Sequence, residues 1–177
     1  MDLKAESLRL REFSVTPPSD TARDEVAKAL GSKFEGIQAV AAEVLGAWGD
    51  PTSKAALRAW FLTTIPRPNG WAIRSVGVRE LARLATAEDA GWVLDLYFGA
   101  KDRLLQHELL RLAAALPPNP ARQMVEQRAR DPDPRVRHAA LKILVWSSWG
   151  ERKALLHPFA SDGDPAIRKL LHAWGAA

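Results

Sequence analysis

The stretch DPDPRVRHAALKIL at 131–144 can be laid over DGDPAIRKLLHAW at 162–174, which pairs Asp131 with Asp162, Asp133 with Asp164, Pro134 with Pro165, Val136 with Ile167 and Arg137 with Arg168. The offset is 31 residues. An apolar residue followed by a polar one recurs upstream as Leu105-Gln106, Ile73-Arg74 and Ile37-Gln38, at spacings of 31, 32 and 36. Self-similarity at such a period constrains the fold strongly. A unit of this size cannot bury its own apolar face, so it must stack on its neighbours.

Periodicity shows what each unit is made of. Four, seven and eight residues past the apolar anchor stand Ala41, Val44 and Leu45, then Leu109, Leu112 and Ala113, then Ala140, Ile143 and Leu144. This is one face of a helix. Asp133 and Asp164 are expected to cap the last two of these helices, each followed by a proline at the first helical position, where a missing N–H costs nothing. A second, shorter apolar-periodic segment precedes each one, at about 21–30, 52–64, 87–98, 119–130 and 150–160. Gly49-Asp50-Pro51, Pro66 to Gly70, Pro117 to Pro120 and Asp131-Pro132 punctuate the pattern. No alternating two-residue pattern of useful length occurs. The expectation is an all-α chain of about five helical hairpins over 20–177. Residues 1–19, ending in Thr16-Pro17-Pro18-Ser19, form a capping helix or a mobile arm. The loop TTIPRPNG at 63–70 accounts for the 36-residue spacing and is a connector or a partner contact.

The repeats resemble the HEAT-repeat family in the short bacterial form of phycobilisome-lyase-like repeat proteins. The resemblance rests on Asp131, Val136, Arg137, Ala139 and Ala140, on Asp162, Ile167, Arg168, Leu170 and Leu171, and in weaker form on GIQAVAAEVLGAWGD at 36–50. It implies an α-solenoid with a right-handed superhelix, in which the second helix of each hairpin lines the inner face. It also implies that an Asp before that helix bonds the Arg after the anchor, here Asp131 with Arg137 and Asp162 with Arg168. Ser32 with Gln38 and Pro68 with Arg74 depart from the pattern, and the third unit has no acid to match Gln106. Such a fold is silent on function.

Charge is more informative. The chain carries 25 Lys and Arg against 21 Asp and Glu, and the excess sits at 101–177, with 13 basic and 8 acidic residues. Six residues past each anchor stand Glu43, Arg79, Arg111, Lys142 and Ala173; two past it stand Ala39, Ser75, His107, His138 and Lys169. On stacked second helices these make two adjacent rows. Arg79, Arg111, Lys142 and Lys169, with His107 and His138 between them, then form either a positive track for a partner or an ordinary solvated surface. Of the 7 tryptophans, Trp48, Trp60, Trp71, Trp92 and Trp174 read as core. Trp146 and Trp149, around Ser147-Ser148, are either core or partner contacts at the mouth of the groove.

Other chemistries lack their residues. With 0 cysteines there is no disulfide, thiolate metal site or cysteine nucleophile. His107, His138, His157 and His172 have no metal-ligand spacing, and no phosphate loop or nucleophile elbow occurs. Neither a metal nor a cofactor is expected. No run reaches the roughly 18 apolar residues of a membrane span, and MDLKAESLRLREF is charged where a signal peptide is apolar, so a cytoplasmic location is expected. HEAT-like folds also serve alkylpurine DNA glycosylases. GWVLDLYFG sets Trp92 three residues from Asp95, however, and departs from the WDxVD arrangement of that family. The sequence therefore favours a non-enzymatic scaffold or adaptor that holds an acidic protein partner, with nucleic-acid binding as the alternative.

Overall fold

The computed structural model describes residues 2–150 and 152–175, so position 151 and the last two residues of the 20–177 span lie outside it. Among the described residues there are helices and no strands. The chain forms two compact units, 1–84 and 85–177. The first holds α1 (Leu3–Phe13), α2 (Asp20–Leu30), α3 (Glu35–Trp48), α4 (Pro51–Thr64) and α5 (Trp71–Arg83). In the second, a 3-10 turn at Ala87–Asp89 leads into α6 (Ala90–Gly99). Next come α7 (Arg103–Ala114), α8 (Pro118–Arg128), α9 (Pro134–Trp146), α10 (Arg152–Leu156), a 3-10 turn at His157–Phe159 and α11 (Pro165–Ala173).

Local chemistry sets the helix starts. Asp133 and Asp164 cap α9 and α11 as the sequence predicts, accepting from the backbone N–H groups of Arg135 and of Ala166 and Ile167, with proline next in each case. Asp50-Pro51 starts α4 in the same way. The residues four, seven and eight past the anchors in α3, α7 and α9 are all buried. Ile37, Ile73 and Ile167 are buried too, whereas Leu105 and Val136 are only half-buried.

Packing repeats within each unit. In the first, α3 is central, lying against α1, α2, α4 and α5, while α4 packs on α5. Of the segment before residue 20, α1 packs on α3 within this unit. Leu10 of α1 is buried, and the indole N–H of Trp48 donates to the carbonyls of Phe13 at 2.8 Å and Thr16 at 3.1 Å, which ties down the end of α1. In the second unit α9 is central: α7, α8, α10 and α11 pack on it, and α6 packs on both α7 and α8.

The residue after each anchor reaches back to a main-chain carbonyl of its own hairpin. Gln38 donates to Ser32, Arg74 to Arg67 at 2.9 Å, and Gln106 to Tyr97 at 3.4 Å. Arg137 donates to Asp131 and Pro132, and Arg168 to Asp162 and Gly163. Except for Tyr97, in the last turn of α6, the accepting carbonyls lie in the turns between helices, which these bonds hold. The expected carboxylate pairing is corrected accordingly. Arg137 grips the carboxylate of Asp162 in the following hairpin with two bonds of 2.8 Å, while the Asp131 carboxylate accepts the backbone N–H of Asp133. In the first unit Gln38 makes the corresponding link forward, its carbonyl oxygen accepting from Arg67 at 3.2 Å.

Candidate functional site

In the first unit the charges on neighbouring helices neutralise one another. Glu80 of α5 is only 3% exposed, because Gly46 of α3 leaves room for it: a Cβ on Gly46 would lie 2.3 Å from a Glu80 carboxylate oxygen. The carboxylate accepts from Arg79 Nε at 2.7 Å and from Arg83 at 2.5 Å. Arg79 also bonds Glu43 of α3 at 2.8 Å, and Glu43 pairs with Arg11 of α1 at 3.4 Å. Arg79 is thus withdrawn from the candidate cations. Its bond to Glu80, helped by Glu43, holds its guanidinium more firmly protonated than usual. A cation already matched by two carboxylates has little charge left to offer a partner.

The second unit is different. Its packed helices α7, α9 and α11 carry Arg103, Arg111, Arg135, Arg137, Lys142, Arg168 and Lys169 against one acidic residue, Glu108. The aspartates of these hairpins sit at the helix starts, where Asp102, Asp133 and Asp164 accept backbone N–H bonds as caps. Spacing then sorts the cations by face. Arg135, His138, Lys142 and Trp146 follow one another at three or four residues along α9, and Leu104, His107 and Arg111 do so along α7, each set forming one stripe. His107, Arg111, Lys169 and Trp146 are exposed, and His138 and Lys142 half-buried. Among the described residues, Arg111, Lys142 and Lys169 enter no ion pair.

His138 is half-buried on α9, within reach of Lys142. Burial pushes its imidazole below the ordinary range and the Lys142 ammonium adds to the shift, with Asp164 acting weakly the other way. The ring is therefore neutral at pH 7, and a carboxylate brought against it would favour its protonation.

The tryptophans divide. Trp146 is 57% exposed, whereas Trp149 is 7% exposed and donates its indole N–H to the Leu116 carbonyl at 2.6 Å. Trp149 is accordingly removed from the partner contacts: α9 ends at Trp146, Ser147 is extended, and the chain turns Trp149 back into the core. Trp71, expected in the core, is 63% exposed. Trp174, also expected there, is 42% exposed and lies 6.3 Å from Trp146, ring centroid to ring centroid. Helical extrapolation missed Trp174 because α11 stops one residue before it.

The residues weighed for an enzymatic site lie on α6. Trp92 donates its indole N–H to Asp89 at 3.0 Å, while Asp95 lines a separate open cleft with Phe98, Met124, Arg128 and Arg130. Among the described residues no three His, Asp or Glu side chains gather where a metal ion could be held. Nor is any helix there long and apolar enough to cross a membrane. Comparison with known proteins gives no matching family model and no matching curated protein.

Proposed function

We propose that this chain is a non-enzymatic interaction module of the cytoplasm, a HEAT-like right-handed α-solenoid of about five helical hairpins that docks an acidic segment of a partner protein. The repeated reach of Gln38, Arg74, Gln106, Arg137 and Arg168 to main-chain carbonyls supports the repeat reading. The docking reading is carried by one observation: α7, α9 and α11 pack in sequence and, with Arg137 bound to the Asp162 carboxylate, still hold Arg111, Lys142 and Lys169 in no ion pair among the described residues. Arg111, Lys142 and Lys169 supply the charge, and His107, His138 and Trp146 supply further contacts. Such a surface steers an acidic chain and fixes its register more than it adds raw affinity.

Titration of the protein with a labelled oligo-glutamate peptide and with single- and double-stranded DNA of the same charge, at rising salt, tests the reading. The peptide is expected to bind more tightly than either nucleic acid at physiological salt. Tighter DNA binding that falls steeply with salt would replace a protein partner by a phosphate backbone.

A further inference from the structure

Among the described residues of the second unit, the large apolar side chains left exposed are Leu104, Trp146 and Trp174. Leu104 opens the α7 stripe that continues through His107 and Arg111, and Trp146 closes the α9 stripe that begins at Arg135. Leu104 and Arg135 are register equivalents, each one residue before its anchor, so the two stripes correspond position by position. Trp174 lies against Trp146. Apolar residues exposed singly need no explanation, but here they stand at the two ends of one charged face.

Their placement sets a distance. α7 and α8 are joined by residues 115–117, and α8 and α9 by 129–133; each short link reverses the chain, so the packed helices α7 and α9 run in the same direction. Leu104 lies one residue before its anchor and Trp146 ten past its own, which is about 16 Å along the helix axes. With roughly 9 Å between packed helices, the diagonal from Leu104 to Trp146 is about 19 Å. By register, His107 and Arg111 flank that diagonal on one side, and His138 and Lys142 on the other. An acidic run is stretched by its own repulsion and covers the distance in about six residues, at ~3.3 Å each.

Charge complementarity selects what lies there. Arg111 and Lys142 enter no ion pair among the described residues, and carboxylates directed to them bring the two ends of the run over Leu104 and over the Trp146–Trp174 pair. Polar ends would leave those side chains in water, whereas apolar ends cover them. We propose that the partner's acidic segment is bracketed: about five carboxylates in extended chain lie between two large apolar side chains, one on Leu104 and the other against Trp146 and Trp174. This rests on the reading of α7, α9 and α11 as the docking face.

The test is fluorescence anisotropy of the whole protein with two labelled peptides of one composition, two leucines and about five glutamates. In one peptide the leucines bracket the glutamates; in the other they stand together at one end. Charge and hydrophobicity are then equal, and only the spacing differs. The bracketed peptide is expected to bind about tenfold more tightly, the scale of one anchored side chain. Leu104→Ser and Trp146→Ala, each checked by circular dichroism, are expected to cancel that advantage. Equal affinity of the two peptides for the parent, or an advantage that survives in both variants, overturns the bracketed segment and leaves the docking face standing. Binding of neither peptide at low salt overturns both. A parent that sediments as a dimer and becomes a monomer on Leu104→Ser gives these apolar sites to a second copy of the chain and overturns the proposal. So does an oligothymidylate that binds more tightly than either peptide and depends on Trp146, which assigns the aromatic pair to base stacking.

Discussion

Trp146 and Trp149 stand three residues apart and do opposite things, and backbone geometry decides which. Trp146 closes α9 and faces outward. Trp149 follows the extended Ser147 and gives its N–H to the Leu116 carbonyl inside the second unit. Replacing Trp149 by Phe keeps most of the apolar bulk but orphans that carbonyl, at a cost of about 1–3 kcal/mol. The expected outcome is a melting temperature lower by roughly 2–4 °C per kcal/mol, with oligo-glutamate affinity unchanged. Loss of affinity without loss of stability would return Trp149 to the binding surface. Arg79 teaches the same lesson about charge: its register position matches Arg111 and Lys142, yet Glu43 and Glu80 consume it.

At the level of elements, Asp50 at the start of α4 and Asp162 in the turn before α11 carry the response to pH. Burial alone would raise the Asp50 carboxyl, but hydrogen bonds from the Ser53 hydroxyl and backbone N–H, and from Arg23, outweigh it and bring the pKa down to about 2 from 3.8. A folded pKa below the unfolded one means stability that is present above pH 3.8 and lost as the pH falls towards 2. Asp50→Asn keeps a capping side chain and removes the titration. Thermal melts at pH 7 and pH 3 are expected to show the variant less stable by about 1 kcal/mol at pH 7 and closer to the parent at pH 3. A constant gap at both pH values would contradict this account. The Asp162 carboxyl is shifted in the same direction, first by its hydrogen bonds from Arg137, and adds to the same acid-side loss.

The elements were legible because apolar spacing and Asp-Pro starts are local signals. The Arg137–Asp162 bond was not, because its partner belongs to the next hairpin and only stacking brings the two together. Trp174 was misplaced for a related reason: helix period says nothing of where a helix stops, and α11 ends at Ala173. Gly46 reads in sequence as a weak helix position, and its use appears only when Glu80 is seen against it.

Across the whole molecule, a net charge of +4 conceals two regimes. The first unit spends its charges internally, along Arg11, Glu43, Arg79, Glu80 and Arg83. The second caps its helices with its aspartates and leaves cations standing on α7, α9 and α11. That division is why the proposed docking surface is placed on the second unit. The most direct measurement is the affinity of a labelled oligo-glutamate peptide for the parent and for the double variant Arg111→Glu, Lys142→Glu, each matched by a thermal melt. The account predicts that peptide binding is lost in the variant while its melting temperature and helicity stay near the parent's; undiminished binding by a folded variant would contradict it.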